Sequence, residues 1–152
     1  MKVLVFTIGP DRYGLRLGAI VRVLPVVALK RIPLAPSFVA GLMDLHGEPV
    51  PVVDLSRLAG VEPEQIRFDT RIVLVDYEAG DGPARPLGLL AEHVIGIETL
   101  DDAALADSGI DGAPFLGQVA GAANGLLQLV ETGELLPPDV RALLYPVAAG
   151  AP

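Results

Sequence analysis

Seventeen glycines and fourteen prolines, a fifth of the 152 residues, are spread along the whole chain rather than gathered in a linker. Breakers at that spacing leave room only for short apolar runs, the habit of an all-β barrel or sandwich. Val3–Ile8 is apolar on both faces and reads as a strand buried on both sides. Tyr13, Leu15 and Leu17 alternate with Gly14, Arg16 and Gly18, the period-2 pattern of a half-exposed strand. Gly9–Arg12 supplies the turn of a hairpin between them. Further strands are expected at Val26–Arg31, Val50–Val53, Thr70–Tyr77, Arg85–Ala91, Val94–Leu100, Phe115–Ala120 and Leu126–Val130. Gly88 and Gly96 interrupt strand patterns, where glycine marks a bulge or a close backbone approach.

Helix is expected to be scarce. Asp54 can cap the amides of Leu55–Arg57, with Gly60 as a left-handed stop. Ser37–Ala40, closed by Gly41, forms another short turn of helix. Pro137-Pro138-Asp139 opens a helix with Val140, Leu143 and Leu144 on one face. Asp101–Pro114 reads as an exposed acidic loop, and residues 146–152 as a flexible tail.

Length and composition allow one core. The chain is of single-domain size, and 51% hydrophobic content supplies the core without staples. The absence of cysteine excludes disulfides, a thiol nucleophile and Cys-ligated metal. Eleven Lys and Arg against nineteen Asp and Glu give a net charge of −8, with no run of basic residues. Such a surface repels nucleic-acid phosphates and anionic lipid, and seven aromatics without Trp leave little for base stacking. The longest apolar stretch, Val23–Leu29, is broken by Pro25 and falls short of the ~18 residues a spanning helix needs. The apolar part of the N-terminus, Val3–Ile8, is shorter than the ~7–15 residues of a signal peptide. No nucleic acid, no membrane insertion and a cytoplasmic location are the expectations.

Catalysis has no foothold. The serines are Ser37, Ser56 and Ser108, the histidines His46 and His93, and neither G-x-S-x-G, a P-loop, G-x-G-x-x-G nor H-E-x-x-H occurs. Asp107–Gly112 has aspartates where an EF-hand loop uses them. Its twelfth position is Gln118, which cannot supply the bidentate carboxylate, so a solvated loop is expected. No catalytic residue, cofactor or metal ligand is assigned.

The informative stretch is Pro36–Gly60, P-S-F-V-A-G-L-M-D-L-H-G-E-P-V-P-V-V-D-L-S-R-L-A-G. Its order of devices resembles the CheW-like domain family of bacterial chemosensory signalling, whose signature runs G-x-x-N-L-R-G-x-x-x-P-V-V-D-L. Gly41, Leu45, Gly47, Pro51, Val52, Val53, Asp54 and Leu55 match it. The likeness extends upstream to Val5–Gly9, Tyr13-Gly14, the run ending at Val23, Arg31-Ile32-Pro33 and Ala35–Phe38. Downstream, Gly88–Val94 resembles the family's G-x-x-V-D-x-V strand with Glu92 in place of the aspartate. The resemblance implies two intertwined five-stranded SH3-like barrels around a shared core, as one domain over residues 1–145. It implies a non-catalytic adaptor coupling the cytoplasmic tip of a methyl-accepting chemoreceptor to the regulatory domain of a CheA-type histidine kinase. Because the chain opens at Met1 with no kinase segment, a freestanding member is expected. The alternatives are a small-molecule-binding β-barrel and an adaptor for a chemosensory pathway other than motility.

The chain departs from the family at two places. N-L-R-G becomes Asp44-Leu45-His46-Gly47, and Arg22 stands where an acidic residue is frequent. Imidazole lacks the fixed donor fork of guanidinium, so the two changes together suggest a missing or rewired pair; the alternative is neutral drift at two exposed positions, since a surface ion pair is worth only about 0–1 kcal/mol. By position in the family, Ile20, Val21, Arg22, Asp44, His46 and Glu48 are the candidate partner contacts. Ile20 and Val21 could equally be core, and Asp44 and Glu48 ordinary solvated charges.

Overall fold

A computed structural model describes residues 1–62, 69–78, 82–110, 112–122 and 125–146. The expected tail beyond Pro146, and Asp111 of the acidic loop, lie outside the described residues. The strands are β1 (Lys2–Ile8), β2 (Asp11–Arg16), β3 (Ile20–Pro25), β4 (Val39–Leu45), β5 (Glu48–Asp54), β6 (Arg71–Tyr77), β7 (Arg85–Ala91), β8 (Val94–Thr99), β9 (Leu105–Ala106), β10 (Leu116–Ala122) and β11 (Gly125–Val130). Two short helices, α1 (Leu55–Leu58) and α2 (Pro138–Leu144), join them.

The strands form two sheets with orders β8-β1-β2-β11-β10-β9 and β3-β6-β7-β5-β4. The chain starts in the first sheet, builds the whole of the second, and returns to complete the first. Parallel pairing of β2 with β11 and of β5 with β7 knits distant segments together. Within β1 the alternation of side chains divides two cores. Val3 and Val5 pack with Leu100, Ala120, Leu127 and Leu129 inside the first sheet. Leu4, Phe6 and Ile8 face Val53, Val73, Val75, Leu87 and Leu89 of the second. The second sheet has its own small core of Met43, Val50, Val52, Ile72 and Leu74. β1 is thus buried on both faces, and each sheet lies between a private core and a shared one.

Each sheet curls into a ring closed by one bent strand. In the second, the chain leaves β3 at Pro25 and crosses to the far edge. There Lys30 pairs with Leu42 of β4 through N–H···O bonds of 2.9 and 2.7 Å. In the first, β8 continues through a 3-10 turn at Asp102–Ala104 into the two-residue β9, which pairs with β10. Five long strands and β9 make up that sheet.

Three local expectations are corrected. Val26–Arg31 is not a strand: its only ladder contact is the Lys30 bridge, because the segment spans the ring's end instead of lying beside a neighbour. Ser37–Ala40 is a turn running into β4, not a helix, because the Phe38 carbonyl accepts from the Asp54 amide at 2.7 Å and Val39 pairs with Val53, which draws the segment into the ladder with β5. Gly41 is needed for a different reason. It has φ +147°, and a Cβ there would sit 2.5 Å from the Lys30 carbonyl oxygen. At the C-terminal helix Val140 is buried and Leu144 packs on the shared core, but Leu143 is exposed; Leu135 and Leu136 before the helix fill that space.

Other devices work as the residues suggest. Asp54 Oδ1 accepts from the Ser56 and Arg57 amides at 2.9 and 3.3 Å, capping α1, and Gly60 ends it at φ +81°. A Cβ on Gly88 would meet Val52 at 2.9 Å, a close approach, whereas Gly96 (φ +151°) sits at the bulge where β8 shifts register against β1. Among the described residues no helix is long and apolar enough to cross a membrane.

Candidate functional site

The six candidates fall on two edges of the second sheet. β3 forms one edge and pairs with β6, Ile20 opposite Val75 and Arg22 opposite Leu74 with a register shift between them. The run ending at Val23 is largely exposed. Val21 is 53% and Val23 41% accessible, Arg22 lies between them, and Ile20 is half-buried against the shared core. Ile20 therefore supports the strand while Val21 and Arg22 present themselves to solvent. Arg22 makes no ion pair or hydrogen bond with any described residue.

Asp44, His46 and Glu48 are exposed on the β4–β5 hairpin, with Leu45 paired to Glu48 across the turn. His46 (φ +52°) and Gly47 (φ +89°) are both left-handed, the signature of a two-residue type I′ turn. Asp44 Oδ1 accepts from the Gly47 amide at 2.7 Å, so the carboxylate does for the turn what the family's amide oxygen could do. The hairpin brings these three residues together. No hydrogen bond or ion pair joins them to Arg22, which lies on a strand at the other end of the hydrogen-bonded order.

Sequence reasoning missed how far the exposed apolar surface extends. Beyond Pro25 the crossing segment exposes Val27 at 41% and Leu34 at 103%. Leu34 has φ +65°, a conformation a leucine adopts only when its surroundings hold it there. The available signal was the segment between Pro25 and Pro33, an apolar run Val26–Leu29 followed by Lys30 and Arg31, which the flanking prolines keep from being ladder-paired throughout.

A groove of about 500 Å3 lies between the two sheets, lined by Arg16, Asp76, Glu78, Val130 and Thr132. Arg16 Nη1 donates to both carboxylate oxygens of Glu131 beside it, at 2.9 and 2.8 Å. At Tyr77, next in sequence to two residues of that groove, α2 locks the end of the second sheet. Tyr145 donates to the Pro86 carbonyl at 2.8 Å and stacks on Tyr77, whose hydroxyl accepts from Arg141 Nε at 3.1 Å. Burial pushes the Tyr145 phenol well above its ordinary value. Burial also raises the Asp54 carboxyl, against the lowering pull of the Arg57 and Ser56 amides.

Of the two histidines, His93 is held as a structural part. His93, also left-handed (φ +47°), places Nδ1 3.0 Å from Asp69 Oδ2 where the chain passes from β7 in one sheet to β8 in the other. Among the described residues no group of three or more His, Asp or Glu could hold a metal ion.

A family model for the CheW-like domain matches residues 2–138. Chemotaxis protein CheW of Helicobacter pylori is 28% identical over 72 residues, 47% of this chain; the match spans 44% of that protein's length. The crystal structure of scaffolding protein TtCheW from Thermoanaerobacter tengcongensis aligns with a TM-score of 0.80 over 91% of this chain and 89% of that one. At 22% identity the likeness is one of fold.

Proposed function

The chain belongs to the CheW-like domain family, whose members are non-catalytic scaffolding proteins, and from that premise we propose that it is a cytoplasmic chemosensory adaptor coupling a methyl-accepting chemoreceptor tip to the regulatory domain of a CheA-type histidine kinase. The observation that carries the reading is the exposed apolar strip of Val21 and Val23 on β3, with Val27 and Leu34 also exposed on the crossing segment that follows. Exposed valines on an edge strand are apolar surface that a docking partner can cover. β3 presents the strip from an edge strand, and half-buried Ile20 ties that strand to the shared core. A partner bound there bears on a rigid element rather than on a loop.

The second contact is the β4–β5 hairpin, where Asp44, His46 and Glu48 form a mixed-charge rim. Rim charges steer encounter and penalise wrong partners more than they add affinity. His46 in place of the family's arginine and Arg22 in place of an acidic residue therefore act on partner choice. The barrel interiors favour this reading over a ligand-binding barrel. Val3, Val5 and Leu127 fill one, and Val50, Val52 and Ile72 the other, all fully buried.

Affinity capture on the tagged full chain from its own cells tests the proposal. Recovery of both a CheA-type kinase and a chemoreceptor is expected; recovery of neither overturns it.

A further inference from the structure

We infer that the cavity between the 31–40 connection and α1 receives a carboxylate side chain from a partner protein. The cavity measures about 510 Å3 and is lined by Arg31, Ile32, Ser37, Val39, Asp54 and Arg57, among others. On a chain of net charge −8 it is an exception: its lining holds two arginines and a single carboxylate, Asp54. Neither guanidinium donates a hydrogen bond to a described residue. Arg31 has no hydrogen bond or ion pair with any described residue. Arg57 has carboxylates near it only at 3.9 Å, Asp54 Oδ2 and Glu62 Oε2, beyond hydrogen-bond distance. Glu62 is 89% exposed, so its ion pair with Arg57 is a weak one that an incoming carboxylate can compete with.

The cavity's chemistry selects the ligand. Guanidinium stays charged at every working pH and offers a planar fork that matches the two oxygens of a carboxylate. Ser37 adds a hydroxyl at the rim. Asp54 belongs to the wall, its Oδ1 already occupied by the Ser56 and Arg57 amides. A fixed negative group there disfavours a phosphate dianion more than a monoanionic carboxylate. The accessibility of Arg31 and of Arg57, 41% at its side chain, suits a group presented from a protein surface rather than an enclosed metabolite. The apolar faces of Ile32 and Val39 give the stem of a glutamate something to lie on.

The cavity sits where β4 begins and β5 ends, at the opposite end of those strands from the His46-Gly47 turn, and its test uses neither kinase nor receptor, so its failure and that of the proposed function can be told apart. The isotope-labelled full chain is titrated with a capped glutamate-rich peptide, its glutamine counterpart, and inorganic phosphate, followed by amide and arginine Nε–H resonances. Saturable shifts at Arg57 Nε–H and the 37–40 amides are expected with the glutamate peptide alone, with Kd near about 1 mM. Charge-assisted bonds of this kind make Arg31→Gln or Arg57→Gln weaken binding by about tenfold or more. Melting curves confirm that both variants are folded, and Arg31→Gln lies away from the α1 cap should Arg57→Gln disturb it. The inference is overturned if no saturable shift occurs, if the glutamine peptide shifts the same resonances equally, if phosphate binds more tightly than the peptide, or if both folded variants bind unchanged.

Discussion

At the scale of single residues, the departures from the family are cheap for the fold. His46 occupies a left-handed position that asparagine and glycine fill with less strain. His46→Asn is therefore expected to raise the melting temperature, by roughly 2–4 °C for about 1 kcal/mol in a chain of this length. A drop in differential scanning calorimetry would show that His46 makes a stabilising contact. Asp54 carries a pH signature. Its carboxyl is raised in the fold by burial, so its protonated form is the better-tolerated one there. The stability it contributes is fully present below the ordinary aspartate range and is lost as pH rises through the raised folded-state value. Asn caps a helix about as well as Asp, whereas Ala costs about 0.5–2 kcal/mol. Urea titrations should find Asp54→Asn gaining on the native chain between pH 4 and pH 7, with Asp54→Ala less stable than Asp54→Asn at both. An asparagine variant that loses ground as pH rises would mean that the Arg57 attraction outweighs burial.

At the scale of elements, the second ring depends on a crossing that sequence pattern does not reveal. β1, β7 and β11 were legible because alternation or continuous apolarity marks which faces are buried. β3 and the segment after it were not. Val21, Val23 and Val27 are strand-forming residues held at the surface, and apolar character alone does not say whether water or a partner covers them. Gly41 shows the same limit: a glycine after Phe38-Val39-Ala40 suggests a helix stop, and only the approach of Lys30 reveals the ring closure. Gly41→Ala should push the Lys30 carbonyl away and break the two bonds of the Lys30–Leu42 bridge. The expected loss is about 1–3 kcal/mol, the range for forced backbone strain, with faster exchange at the Lys30 and Leu42 amides. Unchanged protection there would mean that the bridge does not close the ring.

For the molecule as a whole, the shared core makes the two sheets interdependent, since β1 supplies Leu4, Phe6 and Ile8 to it and Val3 and Val5 to the first sheet's interior. That interdependence holds β3 and the hairpin as fixed surfaces on one body. Which surface should meet which partner is an expectation that rests on resemblance to the family alone, because exposed charge and exposed valine look alike in any sequence. The most direct measurement of the adaptor proposal is titration calorimetry of the full chain against the regulatory domain of the CheA-type kinase from the same cells, with Val21→Arg and Val23→Arg compared in parallel. Saturable binding by the native chain, weakened about tenfold or more by either arginine at an unchanged melting temperature, is the expected result. No binding by the native chain, or equal binding by both folded variants, would contradict it.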